Sequence, residues 1–506
     1  MTRSQPPRSS PSALQIAVPA LVGLALRLTL VLRFPAGAGD SAIYEELARN
    51  WLDEHVYGIY YANGLTLSTI RTPGYPAFLA IIYLLRRSNG AIVLAQAVLD
   101  LGTCFLVAWL VSRMAPPPRR SRITLAALWL AATCPFVANY AAVPLTEVLA
   151  TFLTAAALIP LVSACIALDG GDPGSGWRVP WNAPGDPSWK TPSKTWFAGG
   201  FFVGLATLVR PESPLLLAAL GLVLAIRWRH RADWAKLARA GALTAAGLLL
   251  PLLPWAARNW VELHEVQFLA PPYAASADEY TPRGFYAWTS TWLVRYRDVY
   301  LVPWNIGSDR IEIGNIPASA FDSPGERARV AALLDEYNST TRLNAEVDNG
   351  FAALARERTA RRPLRTYVLV PVERMATMWF TPRTELLPIS GHLWPVRLQW
   401  REDPLGFGVT VFLGGLNFFY LGLAIVGLRR ALHRPTAWAA SATMRTALML
   451  LLVFILLRTA ILTQAQTPEP RYVLECFPAL LALGALAWLP RPASASPVPR
   501  EVQDES

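Results

Sequence analysis

Charge is scarce in this chain. Asp, Glu, Lys and Arg make up 16% of its 506 residues, against 53% that are hydrophobic, and mean hydropathy is +0.31. A soluble domain carries about a quarter charged residues, so composition excludes that class and indicates a polytopic membrane protein. Cysteine is equally sparse. Cys104, Cys134, Cys165 and Cys476 lie in or beside apolar runs without C-x-x-C spacing, which excludes a disulfide framework and a structural zinc site. The five histidines form no H-x-x-x-H pair. The formal charge of +11 comes from arginines clustered in short loops, as in "RMAPPPRRSR", "RWRHRADWAKLAR" and "RRALHR". That pattern sets membrane orientation, so nucleic acid is not among the expected partners.

What the chain does have is apolar length and 19 Trp, a residue that favours the bilayer interface. Runs long enough to span extend from Ala13 to Leu32, Gly90 to Val111, Ile123 to Tyr140, Pro144 to Ile166, Leu237 to Trp255, Leu405 to Leu428, Thr446 to Leu462 and Val473 to Leu489. The first run, about 20 residues, is long enough to span and does not read as a typical signal peptide, so it is expected to stay as a span. The stretch "KTWFAGGFFVGLATLVRPESPLLLAALGLVLAIRWRHR" is basic at both ends and reads as a hairpin with Arg210-Pro-Glu at its far side. "LRTYVLVPVERMATMWF" carries Glu373 and Arg374 at its middle and reads as an amphipathic helix lying on the membrane.

These choices give an all-α polytopic protein with about ten spans, both termini cytoplasmic and every short Arg-rich loop inside. Residues 1–258 form an N-terminal membrane module whose first external loop is 34–89. Residues 259–404 form a small external domain that includes the interfacial helix. Residues 405–490 are C-terminal spans and 491–506 a cytoplasmic tail. Within the external domain, "SPGERARVAALLDEY" places Ser323 as a helix N-cap with Pro324 in the first turn.

Ionisable residues collect at the outer ends of the spans: Asp40, Glu45, Glu46, Arg71, Glu147, Arg210, Arg258, Glu469 and Arg471. Such groups are costly to desolvate, so they tend to be paired and functional. Asp40 alone would serve as a helix N-cap, Glu45 and Glu46 as first-turn charges, and Arg258 and Arg471 as snorkelling groups. Together they suit an anion with a tail in the membrane. Guanidiniums Arg71, Arg210, Arg258 and Arg471 match a phosphate, and Asp40, Glu46 or Glu147 would act as general base on a hydroxyl. Tyr44, Tyr75, Glu469 and Tyr472 flank them as candidate substrate-binding side chains. A polyprenyl-phosphate sugar fits this description.

The set "GDSAIYEELARNW", "RTPGYPAFLAIIYLL", "VPLTEVLATF", "GLATLVRPESPLLL", "PWAARNW" and "PEPRYVLECFPALLAL" resembles, in order and spacing, the GT-C superfamily of membrane glycosyltransferases. Within it the likeness is to the dolichyl-phosphate-mannose-protein mannosyltransferases, the aminoarabinose transferases and the RgtA/B/C/D-like bacterial group. The resemblance implies a GT-C-type bundle that transfers a hexose or pentose from a polyprenyl phosphate to an acceptor hydroxyl, with inversion, on the outer face of a bacterial cytoplasmic membrane. It implies that Asp40, in the first external loop, is the catalytic acid. Ser41 follows it where the family commonly has a second acid, leaving Glu45, Glu46 or Glu147 for that role. It also implies a divalent cation (Mg, Mn or Zn) at Asp40 and Glu147, a lipid, protein or glycan acceptor, and membrane lipids as surroundings. The alternative is a flippase or transporter of lipid-linked sugar, for which inverted repeats around a midplane site are expected; no repeat is visible.

Overall fold

The computed structural model describes residues 11–61, 64–116, 119–168, 192–228, 234–269, 280–432 and 444–489. The tail at 491–506 lies outside the described residues, as does nearly all of the stretch from Asp169 to Pro192, whose Gly/Pro/Trp-rich sequence reads as a cytoplasmic loop.

The first span, α1 (Ala13–Arg33), opens on a capping box between Ser12 and Gln15. Beyond it come α2 (Gly39–Asp53), a two-stranded antiparallel hairpin of β1 (Gly58–Tyr61) and β2 (Gly64–Leu67), and the short apolar α3 (Gly74–Leu85). The chain then returns through α4 (Asn89–Met114), with Ser88 capping the Ala91 N–H. The next crossing is broken: α5 (Arg120–Ala132) meets α6 (Pro135–Ala138) and a 3-10 turn at a 42° bend. Then follow α7 (Glu147–Leu168), the hairpin α8 (Pro192–Val209) and α9 (Leu215–Trp228), and α10 (Trp234–Leu263).

Among the described residues, seven helices are long and apolar enough to cross a membrane, and the bent pair makes an eighth. The Arg210-Pro-Glu turn does join two helices, as the charge pattern required. Its arms are shorter than a standard span and gain from tight packing. At Gly200 of α8 an added Cβ would come 2.0 Å from the Thr244 carbonyl, and at Gly247 of α10 2.2 Å from the Phe197 carbonyl. Only glycine lets these two backbones touch, which is the small-residue route to helix association where lipid supplies no hydrophobic drive.

α10 continues to Leu263, past the boundary expected at 258. The unit expected to be external (the external unit) follows, with α11 (Arg283–Thr289), α12 (Tyr296–Leu301), α13 (Pro324–Thr340) and α14 (Ala345–Arg361). Ser323 caps α13 through the Glu326 N–H at 3.1 Å. This unit has its own aromatic core of Phe285, Trp288, Trp292, Tyr337 and Phe351.

A π-turn over Arg365–Leu369 leads into α15 (Val370–Phe380). Tyr367 and Leu369 of the turn and Val372 of α15 are exposed, while Arg374 is buried. Arg374 donates to the carbonyls of Ser290 and Leu293 in the external unit and of Thr463 and Ala465 beyond the next-to-last span. One guanidinium thereby ties the external unit to the bundle. The chain closes with α16 (Val396–Glu402), α17 (Pro404–Leu432), α18 (Arg445–Leu462) and a last crossing, Pro470–Trp488, that begins as a 3-10 helix and continues as α19 (Phe477–Ala485).

Candidate active site

The ends of α1, α7, the last crossing and the α8–α9 turn meet at one end of the bundle. A cavity of about 920 Å³ opens there, bounded by the chain from Arg33 to Asp40, by Arg71, by Glu469 to Tyr472 and by the external unit. That volume lies near the upper end for small-molecule sites, about 300–1,000 Å³.

Asp40 sits in the first turn of α2, but Ala38 is the N-cap and no side chain caps the helix. Its carboxylate is instead aimed across the cavity. Oδ1 lies 2.8 Å from Arg71 Nη2 and Oδ2 3.3 Å from Arg471 Nη2. Arg71 is fixed by its turn: Tyr57 donates to the Arg71 carbonyl at 3.0 Å, and the ring of Tyr44 lies under the guanidinium. Three residues on, Gly74 lets the turn rest on α8, since a Cβ there would come 2.6 Å from the Leu208 carbonyl. Burial favours the neutral form of Asp40, but Arg71 and Arg471 outweigh it and hold the carboxyl below its ordinary 3.8.

Arg471 opens the last crossing and gathers three acids. Besides Asp40, it lies 2.6 Å from Glu469 Oε2 through Nε and 3.6 Å from Glu147 Oε1 through Nη1. Glu469 also accepts from the Tyr472 hydroxyl at 2.9 Å. Burial raises the Glu469 carboxyl above its usual value in spite of Arg471. Beneath the cavity floor the network continues: Glu147 pairs with Arg210 at 3.2 Å, and Arg210 and Arg458 share Glu212 and Glu475. Burial favours neutral Glu212, but the two guanidiniums prevail and lower it. Buried charges of this kind persist only when paired, and their pairing fixes the rotamer of each cavity-facing side chain.

Asp40, Arg71, Glu469, Arg471 and Tyr472 therefore converge on one cavity. Glu147 and Arg210 lie directly behind them, and Tyr44 supports Arg71. Three expected residues are elsewhere. Arg258 pairs with Glu262 at 2.5 Å and donates to the Tyr57 carbonyl, outside the cavity. Glu46 accepts from the Tyr60 N–H at 2.7 Å and so anchors the hairpin. Tyr75 is wholly buried, with its hydroxyl on Gln96. The residues missed from sequence are Glu385, which accepts from Tyr140 at 3.0 Å, and Tyr286, Tyr296, Tyr300 and Trp304 on the external wall. Glu475 was a carboxylate inside an apolar run, a signal that sequence alone offered.

For a metal, the geometry is specific. Asp40 and Glu147 face different nitrogens of Arg471, so a dication bridging them would have to displace that guanidinium. Among the described residues no three His, Cys, Asp or Glu side chains group as metal ligands.

No family model and no curated protein matches this sequence. Among solved structures, the chain is similar to the Archaeoglobus fulgidus oligosaccharyltransferase in complex with Zn and sulfate, at 15% identity and TM-score 0.46, over 94% of this chain and 48% of that one. Its apo form gives the same TM-score, 0.46, at 14% identity, covering 94% of this chain and 50% of that one. ArnT from Cupriavidus metallidurans in the apo state is similar at 15% identity and TM-score 0.40, over 90% of this chain and 76% of that one. The chain thus spans about half the length of the oligosaccharyltransferase.

Proposed function

We propose that this chain is a GT-C-type membrane glycosyltransferase that moves a sugar from a polyprenyl phosphate to an acceptor hydroxyl at the outer surface of a bacterial cytoplasmic membrane. The observation that carries the reading is Asp40 between Arg71 and Arg471 at the mouth of a cavity at the bundle end. A carboxylate held by two guanidiniums occupies the place a donor phosphate would take. When that phosphate arrives, Arg71 and Arg471 turn part of their hydrogen-bonding capacity to it, since each guanidinium has five N–H donors. Asp40 is released toward the acceptor.

The chemistry then follows. The acceptor oxygen bonds to the sugar C1 as the C1–O bond to phosphate breaks, and the hydroxyl proton passes to Asp40. The donor is a monoanionic diester and the leaving group a monoester of greater charge, so Arg71 and Arg471 bind the developing product more tightly than the substrate. Glu469 and Glu147 hold Arg471 in position. Arg210 acts through Glu147 and does not reach the cavity itself.

The test is release of polyprenyl phosphate by the purified protein in lipid nanodiscs, given a panel of labelled polyprenyl-phosphate sugars and a membrane-derived acceptor extract. Turnover of at least one sugar is expected. Absence of release from every donor, with label crossing the bilayer of sealed vesicles, would replace the transferase reading with a lipid carrier.

The pH profile is a second expectation. The group is a depressed acid, so it stays ionised until pH falls through its lowered value. The acid limb of kcat/KM assigned to Asp40 therefore lies below 3.8. Arg71→Leu removes the guanidinium nearer to Asp40 and should move that limb upward, apart from any loss in rate. An unmoved limb would show that Asp40 does not set it.

A further inference from the structure

The external wall of the cavity is aromatic in a regular way. Tyr296 and Tyr300 lie one turn apart on α12, and Trp304 follows four residues later. Their rings form a ladder, with centroids 4.8 Å apart for Tyr296–Tyr300 and 4.1 Å for Tyr300–Trp304. The two phenol hydroxyls are hydrogen-bonded to each other. All three residues line the cavity that holds Asp40. Tyr300 is 44% and Trp304 39% exposed, although the same unit buries Trp288, Trp292 and Phe285 in its core.

An interfacial belt would also expose tyrosine and tryptophan. A belt faces lipid around the outside of the bundle, whereas this ladder faces a polar cavity beside Asp40, Glu385 and Arg471. The rings meet edge to face, and large, partly exposed rings in a concave site are a recognition surface.

From this ladder we infer that the acceptor presents a sugar ring to the enzyme: it is a carbohydrate, free or as the head of a glycolipid, and not a peptide. This inference rests on the transferase reading of the same site. A pyranose has a face of C–H bonds and a rim of hydroxyls. The face suits a Tyr or Trp ring, and the rim suits phenol hydroxyls and the Glu385 carboxylate. Burial pushes both Tyr296 and Tyr300 above the ordinary phenol range, so they remain neutral donors and acceptors at any working pH. Strand addition, one common way of reading a peptide, is not offered here, because the hairpin β1–β2, the one sheet among the described residues, does not line the cavity. Position separates acceptor from donor. The donor's phosphate and lipid belong with Arg71 and Arg471 at the bundle end, while the ladder is on the external unit across the cavity. An acceptor sugar lying on it would hold one hydroxyl toward Asp40.

The experiment measures binding, not turnover. The full-length protein in nanodiscs is titrated calorimetrically with soluble tri- to pentasaccharides of mannose, glucose and galactose, and with a Ser/Thr-rich decapeptide. In a second arm, the nanodiscs carry a glycosyl diacylglycerol instead. Wild type is expected to bind at least one saccharide probe, and Tyr300→Ala and Trp304→Ala to weaken it about tenfold each. Trp304→Tyr should restore most of that loss. Trp400→Ala, an exposed residue outside the cavity, should bind as wild type. Preference for the soluble probe or for the glycolipid tells which source the sugar has. Binding of the peptide alone, binding of no saccharide in either arm, or equal binding by all variants overturns the inference. Donor release by wild type, measured separately, keeps its failure distinct from failure of the transferase reading.

Discussion

Asp40→Asn is expected to lower turnover by about 10²–10⁴-fold while donor affinity holds or rises. The substitution keeps the size of the side chain and removes its charge and its ability to take a proton. That charge is paired with Arg71 and Arg471, so on the proposed mechanism the same carboxylate would both accept the proton and compete with the donor phosphate. Removing it leaves Arg71 with no carboxylate at its Nη2, while Arg471 stays held by Glu469 and Glu147. The phosphate then meets one guanidinium already freed and one still positioned. Turnover and binding must therefore move in opposite directions, or binding must stay level. Polyprenyl phosphate release measures the first, and labelled-donor binding to the purified variant the second. A variant that keeps its turnover would remove Asp40 from the mechanism and leave Glu147, which shares Arg471, as the base. A variant that loses donor binding and thermal stability together would make Asp40 a structural counter-ion only.

The positions of the spans were readable because length and apolarity are properties of a segment taken alone. The α8–α9 hairpin was readable from charge, since two basic ends must share a side and Arg210 must lie opposite. The same logic placed Asp40, Arg71, Glu147, Arg210, Glu469 and Arg471 at one membrane level, and the structure brings them into one network. Level is a single coordinate, however, and a site also needs an angle around the bundle. Arg258 shares the level but points to Glu262 and Tyr57. Glu46 is one residue from Glu45 on α2, yet it turns to the hairpin while Glu45 pairs with Arg49. Angles come from helix packing, which no span carries in its own sequence. The aromatic ladder was hidden for a related reason. Tyr296, Tyr300 and Trp304 have helical spacing, but α12 covers only Tyr296–Leu301, too short for periodicity to signal which side faces a cavity.

Arg27 and Asp100 are each a lone charge within an apolar run, and only helix packing shows that they pair. Both are buried in the bundle, 2.7 Å apart, where an unpaired charge is least tolerated. Asp100→Asn should destabilise the protein by about 3–5 kcal/mol, since it leaves the Arg27 charge uncompensated. The double variant Arg27→Met with Asp100→Leu should recover part of the loss, because replacing a whole buried pair with apolar groups is often neutral. Recovery should stop short for a reason visible at the broken crossing. Arg27 also donates to the Ala132 carbonyl at 2.9 Å, at the 42° bend between α5 and α6. Without that donor the carbonyl is left unsatisfied, at a cost of about 1–3 kcal/mol. Gly23 on α1 permits this contact, as a Cβ there would come 3.0 Å from the Ala132 side chain. Unfolding of the single and double variants in detergent, set out as a double-mutant cycle, gives both terms; single variants as stable as wild type would refute the pairing. The consequence reaches the site, because the segment after the bend carries Tyr140, whose hydroxyl holds Glu385 in the cavity wall. A loosened bend should therefore weaken acceptor binding before it disturbs the arginines that face the donor.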